Sequence, residues 1–235
     1  MKYWFKWNNV SSDSKGIKIR SMPDIVRPEE RVNHVQIPGQ SGDLTETEGD
    51  DIYNSYIQTL TISVKSKDQT ISAFQWLRGS GYITFSGEPT RMQAASVIGA
   101  VTLEKVSRNM DHWRGQVQFY CQPLKQALTE TAVTLTASGS VTNNGDVPAY
   151  PIILAYPGAD IDYMDITVNG KTLRITEIRN IRRIDSKARE VTNAAKTVIV
   201  TKNTAGPFPV LNVGSNTIGG SGWTKLEIYK NERFL

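Results

Sequence analysis

The stretch IQTLTISV, Ile57 to Val64, alternates between two faces. Leu60, Ile62 and Val64 fall on one side, and Thr59, Thr61 and Ser63 on the other. A period of two marks a half-buried strand. Val97, Gly99, Val101 and Leu103 repeat the pattern, and Val117, Phe119 and Cys121 repeat it again. A polar turn at Arg108-Asn109-Met110-Asp111 separates the two runs, which together predict a hairpin.

Working outward, one helix is expected between strands. Asp68 is placed to cap it, Ile71, Phe74 and Leu77 follow one side, and Gly79-Ser80-Gly81 stops it. At about ten residues it is too short to stand alone, so it must pack on a sheet or on a neighbouring subunit. From Thr129 onward the chain is rich in Thr, Asn and Gly. Strands are expected at Val133–Thr136, Pro151–Ala155, Ile161–Val168, Lys171–Ile175, Lys196–Thr201 and Lys225–Tyr229. Asn143-Asn144-Gly145-Asp146, Asn169-Gly170, Gly214-Ser215-Asn216 and Gly219-Gly220-Ser221-Gly222 read as turns, with Asn169-Gly170 the strongest two-residue hairpin signal. Closely spaced strands without helices between them predict a β-sandwich or jelly roll. The fold class is mainly β, with a domain boundary near residues 125–130: residues 1–127 form one domain and 128–235 a second. Arg27 to Asp51 is the least regular segment. It reads either as an extended arm lying on a neighbour or as a surface loop.

Composition narrows the chemistry. The 235 residues carry a net charge of +4, one cysteine and two histidines. A chain of this length can bury a core unaided. Cys121 alone cannot form an internal disulfide, and His34 and His112 have no neighbouring ligands for zinc. No run reaches the length of a membrane-spanning helix, and the start MKYWFKWNNV lacks the apolar region of a signal peptide. Synthesis in the cytoplasm without classical secretion is the expectation.

Motifs for catalysis fail on spacing. Gly39-Gln40-Ser41-Gly42 is one residue short of a nucleophile elbow, and position 223, where Ser221 would need a closing glycine, is Trp. Gly170-Lys171-Thr172 lacks the opening glycine of a phosphate loop, because that position is Asp165. Glu29, Glu30, Asp50 and Asp51 are the candidates for a glycosidase acid pair, but they sit in charged, solvated stretches. Asp160, Asp162 and Asp165 fail the EF-hand pattern, leaving at most a loose surface calcium site. Arg174, Arg179, Arg182, Arg183, Lys187 and Arg189 form the densest basic cluster, interleaved with Glu177, Asp185 and Glu190. Trp223, Tyr229 and Phe234 read as core aromatics before they read as sugar platforms. No catalytic residue, metal ligand or cofactor is assigned, which leaves a binding or structural β protein.

Eight features follow one another along the chain: Phe5 to Ile19 as an opening strand pair, IPGQSGDL (Ile37 to Leu44), the helix around Ile71–Leu77, and FYCQP (Phe119 to Pro123). They continue with NNGDVPAYPII (Asn143 to Ile153), VNGK (Val168 to Lys171), IDSKAREV (Ile184 to Val191) and PFPVLNVGSNTI (Pro207 to Ile218). They span essentially the whole chain. In this order they resemble the distal tail proteins of siphophages, mostly those of Gram-positive hosts.

The resemblance implies an N-terminal ring-forming hub domain, β-sandwich or barrel-like, with one short helix and an extended arm. It implies an outward-facing, galectin-like β-sandwich at the C-terminus. The implied assembly is a homo-hexamer, in one ring or two stacked rings, at the distal end of the phage tail. It would join the major tail tube protein to the tail-associated tip protein, touch DNA only in transit through its channel, and touch no membrane. Val35, Pro38, Gly39, Gly42, Leu44, Ile71, Phe74 and Leu77 are the expected subunit contacts. The alternative is a module that binds host cell-surface carbohydrate, with Arg182, Arg183 and Trp223 as its ligand surface. The second half holds no histidine, and Gly222-Trp223 lacks the Trp-Gly-x-Glu setting of galectins, so the likeness is one of fold rather than of sugar site.

Overall fold

The alternating run at Ile57–Val64 is the axis of the first half of the chain. A computed structural model describes residues 3–47, 49–159, 161–176, 178 and 180–235. Its backbone divides into two units, 1–128 with Leu235, and 129–234.

The first unit contains β1 (Phe5–Trp7), β2 (Val10–Ser11), β3 (Lys18–Ile19), β4 (Val32–Gln36), β5 (Asp43–Thr47), β6 (Tyr56–Val64), α1 (Lys67–Trp76), β7 (Ser80–Phe85), β8 (Arg91–Ser107) and β9 (Met110–Ala127). Strands run in the spatial order β2-β1-β7-β8-β9-β6-β3. The expected β8–β9 hairpin is present, and Leu60 of β6 pairs with Val117 of β9. The sheet curls round one core. Phe5 and Trp7 from its one side share that core with Ile19 from its other side, and with Ile62, Ile83, Val117 and Phe119 between them. A mainly β, barrel-like domain with one helix is therefore what the first half forms. Burying each such large apolar side chain contributes about 1.5–3 kcal/mol.

The helix differs from expectation at three points. Its N-cap is Ser66, whose hydroxyl accepts from the Gln69 amide, and not Asp68. It ends at Trp76, before the glycines. Its buried side is Thr70 and Ala73, followed by Leu77, while Ile71 and Phe74 face outward. Small residues let the helix lie close on the sheet, and the Trp76 ring stacks on Phe5 with centroids 5.5 Å apart.

The second unit is a sandwich of two five-stranded antiparallel sheets, counted among the described residues. Its strands are β10 (Val133–Leu135), β11 (Gly139–Asn143), β12 (Ile152–Pro157), β13 (Tyr163–Val168), β14 (Lys171–Thr176), β15 (Arg182–Asp185), β16 (Glu190–Asn193), β17 (Thr204–Ala205), β18 (Gly214–Ser221) and β19 (Trp223–Tyr229). One sheet runs β10-β19-β12-β15-β16, the other β11-β18-β13-β14-β17. Ile153, Ile184, Leu226 and Ile228 of the first sheet meet Met164, Ile166, Leu173 and Ile175 of the second. Asn169 and Gly170 both take positive φ, 49° and 78°, and turn β13 into β14 as their dipeptide predicts.

Two readings need correction. Gly214–Ser221 is a strand, β18, and not a pair of turns. Gly220 serves a close approach, because a Cβ there would lie 1.9 Å from the Asp165 carbonyl oxygen of β13. Lys196–Thr201 is no strand. The Asn193 side chain accepts from the amides of Thr197 and Val198 and holds this segment as a turn.

Candidate functional site

The irregular segment Arg27–Asp51 contains a two-stranded hairpin that forms a sheet of its own. Strands β4 and β5 pair from Val32↔Thr47 to Gln36↔Asp43. At its base the Arg31 amide donates to the Ile52 carbonyl, and the Asn54 amide to that of Glu29. Beyond the base, residues 33–47 are exposed throughout. At the tip Gly39 and Gly42 take φ of 82° and 90° with open space around them. Glycine is needed there for the backbone conformation rather than for room. Pro38 stands exposed beside them.

Strand parity sorts the hairpin side chains. Val35 and Leu44 are cross-strand partners and share one face with Asn33 and Glu46. His34, Thr45, Gln36 and Asp43 lie on the other face, where the His34 ring and the Thr45 hydroxyl are hydrogen-bonded. Val35, Ile37 and Leu44 are exposed large hydrophobic residues.

The helix supplies a second exposed apolar surface. Ile71 is 49% exposed and Phe74 42%, whereas Leu77 is 2% exposed. Leu77 therefore belongs to the core of its own unit and presents no surface to a neighbour. Sequence reasoning grouped these three by spacing alone, and spacing cannot tell which side of a short helix meets the sheet.

The strand edges are a further feature, and the sequence reading missed them. Pairing of β7 with β8 ends at Ser80↔Ser96. From Ile98 onward, among the described residues, β8 pairs with β9 alone. On the far side β3 covers β6 at Ile62 and Ser63, so, among the described residues, Tyr56 to Thr61 pair with β9 alone. The unit thus carries two different free edges. Their trace in the sequence is the length of the Val97–Cys121 hairpin, which outruns its neighbours.

The residues expected to hold a ligand in the second unit do not converge. Arg182 is buried, and burial lowers its pKa. Arg183 is ion-paired to Asp185 at 2.9 Å. Trp223 packs against the sandwich core. The basic cluster is spread over both sheets, with Arg174 on β14 and Arg182 and Arg183 on β15, and Arg179 lies outside the described residues. Arg174 grips Asp165 through two hydrogen bonds of 2.8 Å and holds that carboxyl below its ordinary pKa. Asp165 is thereby committed to a cation, and Asp160 lies outside the described residues. Glu29, Glu30, Asp50 and Asp51 are all solvent-exposed. Burial pushes the Cys121 thiol up to about 12, which makes it a core residue rather than a nucleophile.

No protein-family model matches the chain, and no curated protein matches it. Solved structures do. The Dit (gp 19.1) protein of phage SPP1, described as a paradigm of the hub adsorption apparatus in phages infecting Gram-positive bacteria, superposes with a TM-score of 0.80. Sequence identity is 16%, and the match covers 100% of both chains. A chain of the phage p2 baseplate, in its activated conformation with Sr, matches with a TM-score of 0.51 at 8% identity over 97% of each chain. The chain therefore shares its fold with SPP1 Dit from end to end, the fold expected of a siphophage distal tail protein.

Proposed function

We propose that the chain is a structural component of a phage tail tip, a hub protein of the adsorption apparatus. The observation that carries this reading is the full-length likeness to SPP1 Dit. In this reading residues 1–127 build a ring, hexameric by analogy, and residues 128–235 form the outward, galectin-like domain. The ring joins the tail tube to the tip proteins and leaves a channel through which DNA passes. The protein works by assembly and not by catalysis.

The two free strand edges support the ring. Exposed edges template pairing with another chain. Here the edges differ, one on β8 and one on β6. Pairing one edge with the other on the next copy is a heterologous contact, which closes into a ring when the rotation permits. The carbohydrate reading finds no comparable support, since Arg182, Arg183 and Trp223 are engaged within their own sandwich.

Immunogold labelling of intact tails tests the placement. Label at the distal end of each tail is expected. Label along the tube, or on the head, would overturn the proposal.

A further inference from the structure

The alternation that marks β6 does not stop where its apolar residues do. Gln58 and Tyr56 continue the face of Leu60, Ile62 and Val64. Gln93 continues the face of Ala95 on β8, and Lys125 that of Phe119 and Cys121 on β9. Gln93 and Lys125 are cross-strand partners. One end of the barrel-like core is thus lined by polar side chains, with Gln58 6%, Gln93 3% and Lys125 8% exposed. Polar groups at core-facing positions are costly unless they are hydrogen-bonded or serve a function.

Two of the three are engaged. Gln93 Nε2 donates to the Tyr56 hydroxyl and to the Gln122 carbonyl, and the Tyr56 hydroxyl donates to Gln93 Oε1. Lys125 Nζ is paired to Glu88 at 2.8 Å and donates to the Leu235 carbonyl at 3.4 Å. Gln58 is the exception. Among the described residues its side-chain amide has no hydrogen-bond partner, although the residue is 94% buried. It lines a cavity of about 60 Å³, whose polar side is completed by Tyr56, Gln93, Lys125 and Glu88. The apolar side is Met22, Pro23, Ile25 and Val26, from the segment after β3, with Phe85. The Ser86 hydroxyl donates to Met22 Sδ and ties that segment down. Barrel mouths are common ligand sites.

Size, charge and hydrogen bonding select the occupant. A cavity that takes benzene measures about 150 Å³, so this one is too small for a ring and admits a group of about four non-hydrogen atoms. The lining is charge-balanced. A carboxylate would enter against Glu88 and Asp24, and an ammonium against Lys125. A neutral group fits best. The Gln58 amide offers both a donor and an acceptor, which another carboxamide meets at two points. Beside the mouth Ile25 is 89% exposed, apolar surface for whatever chain carries that group.

We infer that this cavity is an anchor pocket for the carboxamide of an Asn or Gln side chain carried by a partner protein. The carboxamide exchanges hydrogen bonds with Gln58, its aliphatic stem lies against Met22, Val26 and Phe85, and Ile25 meets the partner's surface around the anchor. The inference concerns one unit of one chain and stands independently of the ring reading.

Met22 is the reporter, because its side chain lines the pocket. The full chain, labelled with ¹³C at the methionine methyl groups, is titrated with glutamine capped at both ends as acetyl and methylamide. The Met22 methyl signal should shift saturably, with a dissociation constant of about 1–100 mM for so small a probe. The Met164 methyl, buried in the second unit, should stay still. Capped glutamate should bind at least about tenfold more weakly, and Gln58→Leu should weaken capped glutamine by about as much. Unmoved Met164 and Met110 signals in Gln58→Leu show that the variant is folded. No shift of Met22 with any probe overturns the pocket. Equal binding of capped glutamate, or binding unchanged in Gln58→Leu, overturns the carboxamide recognition. A response to N-acetylglucosamine with none to capped glutamine overturns the protein partner and gives the pocket to a sugar acetamide.

Discussion

Gly219 and Gly220 are neighbours in β18, yet alanine should be tolerated at one and not at the other. At Gly220 φ is 123°, a conformation that L side chains rarely adopt, and the added Cβ would sit 1.9 Å from the Asp165 carbonyl oxygen. That oxygen is backbone in the adjoining strand β13, so no side-chain rotation relieves the overlap. Holding a non-glycine residue in such a conformation costs about 1–3 kcal/mol, and forcing packed strands apart about as much again, so Gly220→Ala should cost about 2–6 kcal/mol. At Gly219 the added Cβ meets the Ser138 side chain in ordinary contact, its hydroxyl oxygen at 3.4 Å, and φ is not positive. There alanine should change stability by less than about 1 kcal/mol. Urea unfolding with hydrogen-exchange readout on peptides from β13 and β18 separates the second unit from the first. With about 1–3 kcal/mol lost per molar urea, the Gly220→Ala midpoint should fall by roughly 1 M or more, and the Gly219→Ala midpoint should barely move. Equal midpoints, or a lower one for Gly219→Ala, would refute the reasoning.

Three further outcomes are expected. Ser66→Ala should cost about 1 kcal/mol, because the Ser66 hydroxyl takes the Gln69 amide, while Asp68→Ala should cost less; thermal unfolding of the two variants compares them. Glu88→Gln leaves Lys125, nearly buried and paired to Glu88 at 2.8 Å, without its charge partner, and should destabilise the first unit by about 1–3 kcal/mol in the same urea assay. The Arg174 hydrogen bonds hold the Asp165 pKa below 3.8, so its stabilisation is complete above the ordinary carboxylate pKa and is lost as pH falls through the lowered one. Wild type should therefore exceed Asp165→Asn in stability at pH 6, with the gap closing below about pH 4 and narrowing in high salt; a gap independent of pH would contradict it.

Some of this fold is legible in residue pattern alone. Ile57–Val64 alternates because one face of β6 meets the core and the other does not. Asn169-Gly170 reads as a turn because few other pairs take positive φ twice in succession. The misreadings share one cause, in that a partner distant in sequence decides the local role. Gly219 and Gly220 look like a turn until they are known to pair with Thr167 and Ile166 of β13. Ile71, Phe74 and Leu77 look like a core stripe, but the helix lies on the sheet through Thr70 and Ala73, and only Leu77 of the three is inside. Asn193 caps a turn that apolar residues disguise as a strand. Of the expected contact residues, Val35, Leu44, Ile71 and Phe74 are exposed, whereas the free edges of β6 and β8 follow from pairing and not from composition.

Assembly is the centre of this account, and native mass measures it most directly. Light scattering across a concentration series, with negative-stain images of the same sample, should show six copies of the 26.1 kDa chain, about 157 kDa, or twice that for two stacked rings, as ring-shaped particles with an open centre. A monomer at every concentration, with no rings, would contradict it.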